Sequence, residues 1–218
     1  MLISVQGGIV MTKSKDSRLQ QSFLRNEFTT QGKWNIPVVK KQLLNLENIK
    51  LIAYNDIRGN DNIVNKTKGV HFFVDDYRFN GIYNNPEKSL KRLSQYAFVC
   101  TPDWSLYKEM NRWRQIESIG KNRWCGAYWQ AKGLKVIPTV SWSDSLSYEF
   151  CFDGIEKQSI VAIGMIGCKK SRLDFLRGYN EMLSRIEPQA VICFGKPFEE
   201  MNGNIIMVDY CESRKVVR

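Results

Sequence analysis

The sequence predicts an α/β domain built on a mainly parallel sheet of six or seven strands with flanking helices, either an open twisted sheet or an incomplete, distorted (β/α) barrel. Three observations lead there. Short apolar runs recur between Ile49 and Val208 and are continuous rather than alternating, the pattern of strands covered on both faces. Segments of helical periodicity separate several of these runs, as crossover helices do in parallel sheets. Successive runs also end in polar or acidic residues. Both architectures place ligands at the carboxyl ends of strands, and the repetition favours the barrel-like form.

A chain of 218 residues suits a single domain. The expected organisation is an N-terminal arm over residues 1–33, one α/β domain over 34–210 and a basic tail over 211–218. Met11, followed by Thr-Lys-Ser-Lys-Asp, reads as a second translation start, which would make residues 1–10 dispensable. Weak helical periodicity through Leu19, Phe23 and Leu24 stops at Gly32, and Lys13, Lys15, Arg18 and Arg25 are available to phosphate.

From Trp34 the elements follow in order. Pro37 keeps Ile36 out of the helical region. Residues 38–47 read as a short helix with Val39, Leu43 and Leu44 on its apolar side, and Ile49–Tyr54 as a strand ending at Asn55-Asp56. A loop rich in Asn, Gly and charge covers 58–68. Val70–Val74 is the central strand and ends in Asp75 and Asp76. Adjacent strand residues face opposite ways, so only one of these aspartates looks into a given cavity, while the other caps a loop or pairs with Arg78. Pro86 opens a helix behind Asn85, and Tyr96–Cys100 is a strand followed by Thr101-Pro102-Asp103-Trp104. Asn111 caps a long helix whose apolar stripe runs Trp113, Ile116, Gly120, Trp124, Ala127 and Ala131; Gly120 would allow close packing, and Gly133 ends the helix. Leu134–Val140 is a strand that Pro138 terminates near Ile137. Ile160–Ile166 is a strand, Ser171 with Asp174 forms a capping box for a helix reaching about Ile186, and Ala190–Phe194 and Ile205–Val208 are the last strands.

Lysine and arginine number 32 against 22 acidic residues, a formal net charge of +10. That balance favours a polyanionic partner, nucleic acid or a phosphorylated ligand. No apolar run approaches the roughly 20 residues of a membrane span. The N-terminus lacks the basic region and cleavage site of a signal peptide, so a cytoplasmic setting is expected. Six cysteines are scattered singly without a C-x-x-C pair, beside one histidine, which disfavours structural zinc and iron–sulfur clusters and favours buried, reduced thiols. That histidine, His71, sits inside an apolar run and reads as a hydrogen-bonded core residue rather than a base.

The candidate catalytic set is Asp75, Asp76, Asp103, Asp144 and Asp153, each just past an apolar run. Two or three such carboxylates brought close can hold Mg²⁺ against phosphate oxygens, or serve as acid, base or nucleophile. Arg78, Arg123 and Lys169 would form a cationic rim, and Trp104, Tyr107 and Trp142 would stack on a base or sugar. The competing reading is that these aspartates close turns and cap helices. The turn from Gly164 to Lys170 is a weaker phosphate-binding candidate that matches neither the P-loop nor the dinucleotide fingerprint.

The segments GVHFFVDDYRF, TPDWSLY, RWCGAYWQ, GLKVIPTVSW and FDGI occur in this order and resemble the domain-of-unknown-function family numbered 4417, seen in phages and mobile elements of Gram-positive bacteria. The resemblance covers about Trp34 to about Tyr210 and brings no catalytic set with it. It implies a cytoplasmic, phage or mobile-element context. The expected function is a hydrolase or lyase acting on a phosphorylated or nucleic-acid-derived substrate through strand-end aspartates. The alternatives are a non-catalytic nucleic-acid-binding protein and a phage effector that binds a host protein through exposed aromatic residues.

Overall fold

The computed structural model describes residues 21–217. The expected start at Met11 and the cations Lys13, Lys15 and Arg18 lie outside the described residues. The strands are β1 (Thr30–Gln31), β2 (Ile36–Pro37), β3 (Leu51–Ala53), β4 (Gly69–His71), β5 (Phe98–Cys100), β6 (Val136–Ile137), β7 (Ile160–Gly164), β8 (Ala190–Phe194) and β9 (Ile205–Val208). The helices are α1 (Gln21–Leu24), α2 (Ile63–Lys66), α3 (Gly81–Asn84), α4 (Pro86–Leu93), α5 (Arg112–Ala131), α6 (Arg172–Ile186) and α7 (Tyr210–Ser213).

Strands β3 to β6 form a four-stranded parallel sheet and β7 to β9 a three-stranded one, both in chain order. A parallel bridge between Thr139 and Ala162 joins them, with Val140 N–H donating to the Ala162 carbonyl at 2.8 Å and Ala162 N–H to that of Pro138 at 2.9 Å. Pro138 has no N–H to give, so the β6 ladder stops at Ile137, as the sequence suggests, and the pairing shifts to β7.

The joined sheet curls. His71 of β4 and Phe194 of β8, which are not neighbours in the sheet, have ring centroids 4.4 Å apart. Phe73, just past β4, stacks on Phe194 at 5.0 Å. Helix α7, which follows β9 directly, packs against β3 at the opposite edge. Among the described residues no ladder joins β3 to β9, so the sheet is an incomplete barrel.

Side chains alternate across the strands, as the two-residue period requires. Leu51, Phe98, Cys100, Ile137, Ala162 and Ile192 fill the concave side. Gly69 leaves room there, since a Cβ would stand 2.1 Å from the Phe98 ring. Ile52, Val70, Val99 and Val136 face outward against Trp124 and Trp129 of α5, while Val161, Ile163, Val191 and Cys193 face Tyr179, Met182 and Ile186 of α6.

Three local expectations are corrected. Residues 38–47 contain no helix: Val39 bridges Ile155 in parallel, and the Lys40 and Lys41 N–H groups donate to the side chains of Gln130 and Glu156. The backbone there finds partners on neighbouring elements, and Leu43 is 82 % exposed. Asn85, Asn111 and Ser171 stand at helix starts, but none accepts a side-chain cap bond, and Asp174 pairs with Lys108 instead. On α5 the apolar stripe holds at Trp124 and Ala127, but Trp113 at its start is exposed and Arg123, off the stripe, is fully buried. Gly126 is the close-contact glycine, since a Cβ there would stand within 2.7 Å of the Thr101 and Val39 methyl groups, whereas nothing lies near Gly120.

Past α7 the chain folds back. Asn65 holds Val217 through both its backbone N–H (3.2 Å) and its carbonyl (2.9 Å), and Lys68 Nζ donates to the Lys215 carbonyl at 2.6 Å. Among the described residues no helix is long and apolar enough to cross a membrane.

Candidate functional site

The site starts from how the chain leaves β4. Phe73 N–H donates to His71 Nδ1 at 3.2 Å and Val74 N–H to the Phe72 carbonyl at 2.7 Å, so the backbone turns sharply where the sequence suggests a continuing strand. The turn separates the two aspartates. Asp75 reaches the rim of a cleft of about 440 Å³, while Asp76 accepts hydrogen bonds from the backbone N–H and hydroxyl of Ser105, tying this turn to the loop after β5.

The cleft lies over the carboxyl ends of the strands. Asn55 follows β3, His71 and Asp75 belong to β4 and its turn, and Asp103 and Ser105 follow β5. Gly164 and Ile166 come from β7, Phe194 from β8, and Tyr210, Ser213 and Arg214 from the segment after β9.

Two polar side chains in its lining, the buried His71 and the half-buried Asp103, each hold one buried atom with unused hydrogen-bonding capacity. His71 is 1 % exposed, and burial pushes its imidazole down to about 3. The ring is therefore neutral at physiological pH. Because Nδ1 accepts from Phe73, the bond network assigns the proton to Nε2, which has no partner among the described residues. Asp103 Oδ1 is likewise shut off without a partner. Burial raises the Asp103 carboxyl to about 7; the Ser141 hydroxyl draws it down, the Asp76 charge pushes it up and the Arg123 charge draws it down. A donor that does not titrate and a carboxyl poised near neutrality thus line one cleft. Arg78 and Arg214 add positive charge at its edge; the ion pair of Arg78 with Asp75 is long, 3.7 Å, and exposed.

A smaller pocket of about 230 Å³ shares Asp103, Ser105, Gly164 and Ile166 with the cleft and gathers Trp104, Tyr107 and Trp142. The three expected stacking residues therefore converge beside Asp103. Trp104 is nevertheless buried, with Nε1 donating to Asn80 at 3.0 Å and its ring edge-on to Phe79.

The other expected residues lie elsewhere. Asp144 caps the 3₁₀ turn Ser145–Glu149 through Ser147 N–H and pairs with Arg112 at 3.2 Å. Asp153 lies in a separate depression with Arg185. Arg123, expected on a substrate-facing rim, is a buried clasp: it donates to the carbonyls of Asp153 (3.1 Å), Thr139 (2.9 Å) and Cys151 (2.8 Å) and to Asn122 Oδ1 (2.5 Å). Lys169 projects from the exposed turn Cys168–Ser171 and does not line the cleft. Among the described residues no three His, Cys, Asp or Glu side chains gather as a metal-holding group, so the carboxylate set considered for Mg²⁺ is dispersed.

The sequence pattern marks His71 as a core residue and carries no sign that Tyr210 and Arg214 line the cleft. His71 is both: its ring packs in the core and its edge meets the cleft. The available signal is a lone polar ring within an apolar run. Arg214 carried none, because its place depends on the tail folding back over β3.

The profile of the family described as "Domain of unknown function (DUF4417)" matches residues 28–211. The "Gene 1 protein" of Mycobacterium phage L5 is 40 % identical over 149 residues, covering 67 % of this chain and 65 % of that relative. The "Gene 1 protein" of Mycobacterium phage D29 is 35 % identical over 176 residues, covering 79 % and 64 % respectively. The chain thus matches just under two thirds of the length of either relative. No solved structure matches it.

Proposed function

The chain belongs to the family described as domain of unknown function (DUF4417), and from the chemistry of its cleft we propose that it is a hydrolase or lyase acting on a phosphorylated or nucleic-acid-derived substrate. The observation that carries this reading is the presence of Asp103 and His71, each with an unused buried hydrogen-bonding atom, at one cleft over the strand ends. Buried polar groups without partners are uncommon and cost stability unless something else uses them.

In this reading Asp103 is the general acid–base. With its carboxyl raised to about 7, both protonation states are populated at neutral pH. The ionised form takes a proton from water or from the substrate, and the protonated form returns it to the departing oxygen. His71 Nε2–H donates to an oxygen on which negative charge grows and stays neutral throughout. Arg78 and Arg214 hold phosphate at the rim. Six free thiols, four of them buried, accord with a reducing cytoplasm.

The test is a turnover screen of the whole chain over nucleotides, sugar phosphates and short DNA and RNA, with and without Mg²⁺. For any substrate turned over, Asp103→Asn is expected to lower kcat by roughly 10²–10⁴ with little change in KM. The wild-type rate should rise or fall with a limb near the Asp103 pKa. Undiminished turnover by the variant would end this assignment. The second reading, a non-catalytic nucleic-acid-binding protein, is supported by the +10 charge and predicts salt-sensitive binding without any turnover.

A further inference from the structure

Beside the cleft runs a second groove, of about 580 Å³, with a different chemical character. Its polar wall is made by Tyr54, Arg78, Asn85, Lys88, Ser89 and Arg92, and no carboxylate lines it. Arg78 lines both spaces, so the groove continues from the cleft past that guanidinium.

Several cations elsewhere on the surface are neutralised by a neighbour. Lys108, Arg112, Lys157, Arg172 and Arg185 each stand against a carboxylate. Among the described residues neither Lys88 nor Arg92 forms an ion pair. Arg92 is instead positioned by a neutral group: Nη2 donates to the Tyr54 hydroxyl at 2.6 Å, and the guanidinium lies 4.9 Å from the centre of that ring. Tyr54 is itself fixed, buried and stacked on Phe72 at 4.8 Å. The guanidinium is thus oriented without its charge being neutralised, and its remaining N–H donors are available to a planar or tetrahedral anion.

We propose that the Arg78–Lys88–Arg92 groove is a phosphate subsite continuous with the cleft, so that the ligand carries phosphate beyond the group held over Asp103. Polyphosphate esters and nucleic-acid strands share that chemistry. The inference rests on the cleft being the substrate site, and it deepens that reading by specifying the substrate's anionic extension. Three unpaired or weakly paired cations along one wall suit successive phosphates better than a carboxylate, which would need only one of them.

The test measures binding alone, so it stands apart from turnover. Anisotropy of a short fluorescent single strand is titrated with wild type, Lys88→Gln/Arg92→Gln, and a control, Lys132→Gln/Lys157→Gln, which removes the same charge elsewhere. Unlabelled pyrophosphate is the competitor. The groove variant is expected to bind about tenfold more weakly or worse, with a salt slope shallower by roughly 1.4 for two lost contacts to a single strand, while the control binds like wild type. Competition by pyrophosphate assigns the subsite to a compact polyphosphate; strand binding without competition assigns it to a nucleic-acid backbone. Equal weakening of groove and control variants, or no binding of either probe by wild type, overturns the proposal. Should the double variant fold poorly, the exposed Lys88→Gln alone carries the same comparison. Because binding is read without turnover, loss of catalysis and loss of the subsite are read separately.

Discussion

Arg123→Met is expected to destabilise the chain by about 3–5 kcal/mol, the usual range for breaking a buried charged network from one side. The guanidinium ties the Thr139 carbonyl, just past β6, and the Cys151 and Asp153 carbonyls, on one later turn, to α5, where Asn122 Nδ2 gives Thr139 a second, longer bond at 3.3 Å. Methionine fills similar volume but leaves the Cys151 and Asp153 carbonyls without the Arg123 donors, and each buried orphan costs on the order of 1–3 kcal/mol before the structure relaxes. Burial pushes the guanidinium down to about 10, with the nearby Cys151, Asp153 and Asp103 drawing it back up, so it remains charged at neutral pH. Urea unfolding should show a lower midpoint with an unchanged slope. A midpoint like wild type, accompanied by lost ligand binding, would instead return Arg123 to the substrate-facing role its sequence context suggests.

Asp103→Asn is expected to act in the opposite direction, gaining stability while losing activity. A carboxyl with an ordinary value of 3.8 that is raised to about 7 holds its proton more tightly in the folded chain than in the unfolded one. Below the unfolded value both states are protonated and no penalty exists. Between the two values the unfolded chain ionises first, and stability falls as pH rises. Above about 7 the penalty is complete, on the order of 4 kcal/mol at about 1.4 kcal/mol per unit. The asparagine variant carries no such charge. Its urea midpoint should exceed that of wild type at about pH 8 and approach it at about pH 4. Equal differences at both pH values would mean that the Asp103 carboxyl titrates normally, which would also remove the basis for its acid–base role.

The strands were legible in the sequence because those between Leu51 and Val208 are short, continuous apolar runs bounded by polar residues, and nothing competes with that pattern. Their parallel order followed from the intervening helices. In residues 38–47 the spacing of Val39, Leu43 and Leu44 mimics a helix, whereas the backbone partners that decide the matter, Gln130 and Glu156, lie far along the chain. The same limit applied at the site. Asp75 and Asp103 were visible as strand-end acids, and they do meet one cleft. Asp144 and Asp153 share that sequence signature but end in a cap and in a separate depression, because signature alone does not fix which face of the fold a turn reaches. Arg123 was misplaced for a related reason. A charged residue off an apolar stripe is ordinarily exposed, unless carbonyls from distant segments, here Thr139 and the turn holding Cys151 and Asp153, converge on it.

The order of the parallel strands matters for how the molecule is made. From β3 to β9, each strand lies beside the one synthesised before it, so most of the sheet can assemble while the ribosome is still extending the chain. The cleft cannot. Its last wall, Tyr210, Ser213 and Arg214, and the hold of Asn65 on Val217 come from the end of the described chain. Ribosome-held chains stopped after β8 should therefore resist protease across the early strands yet fail to bind a phosphorylated ligand. Full-length chains released from the ribosome should do both, and binding by the stalled chain would show that the tail is not needed to complete the cleft.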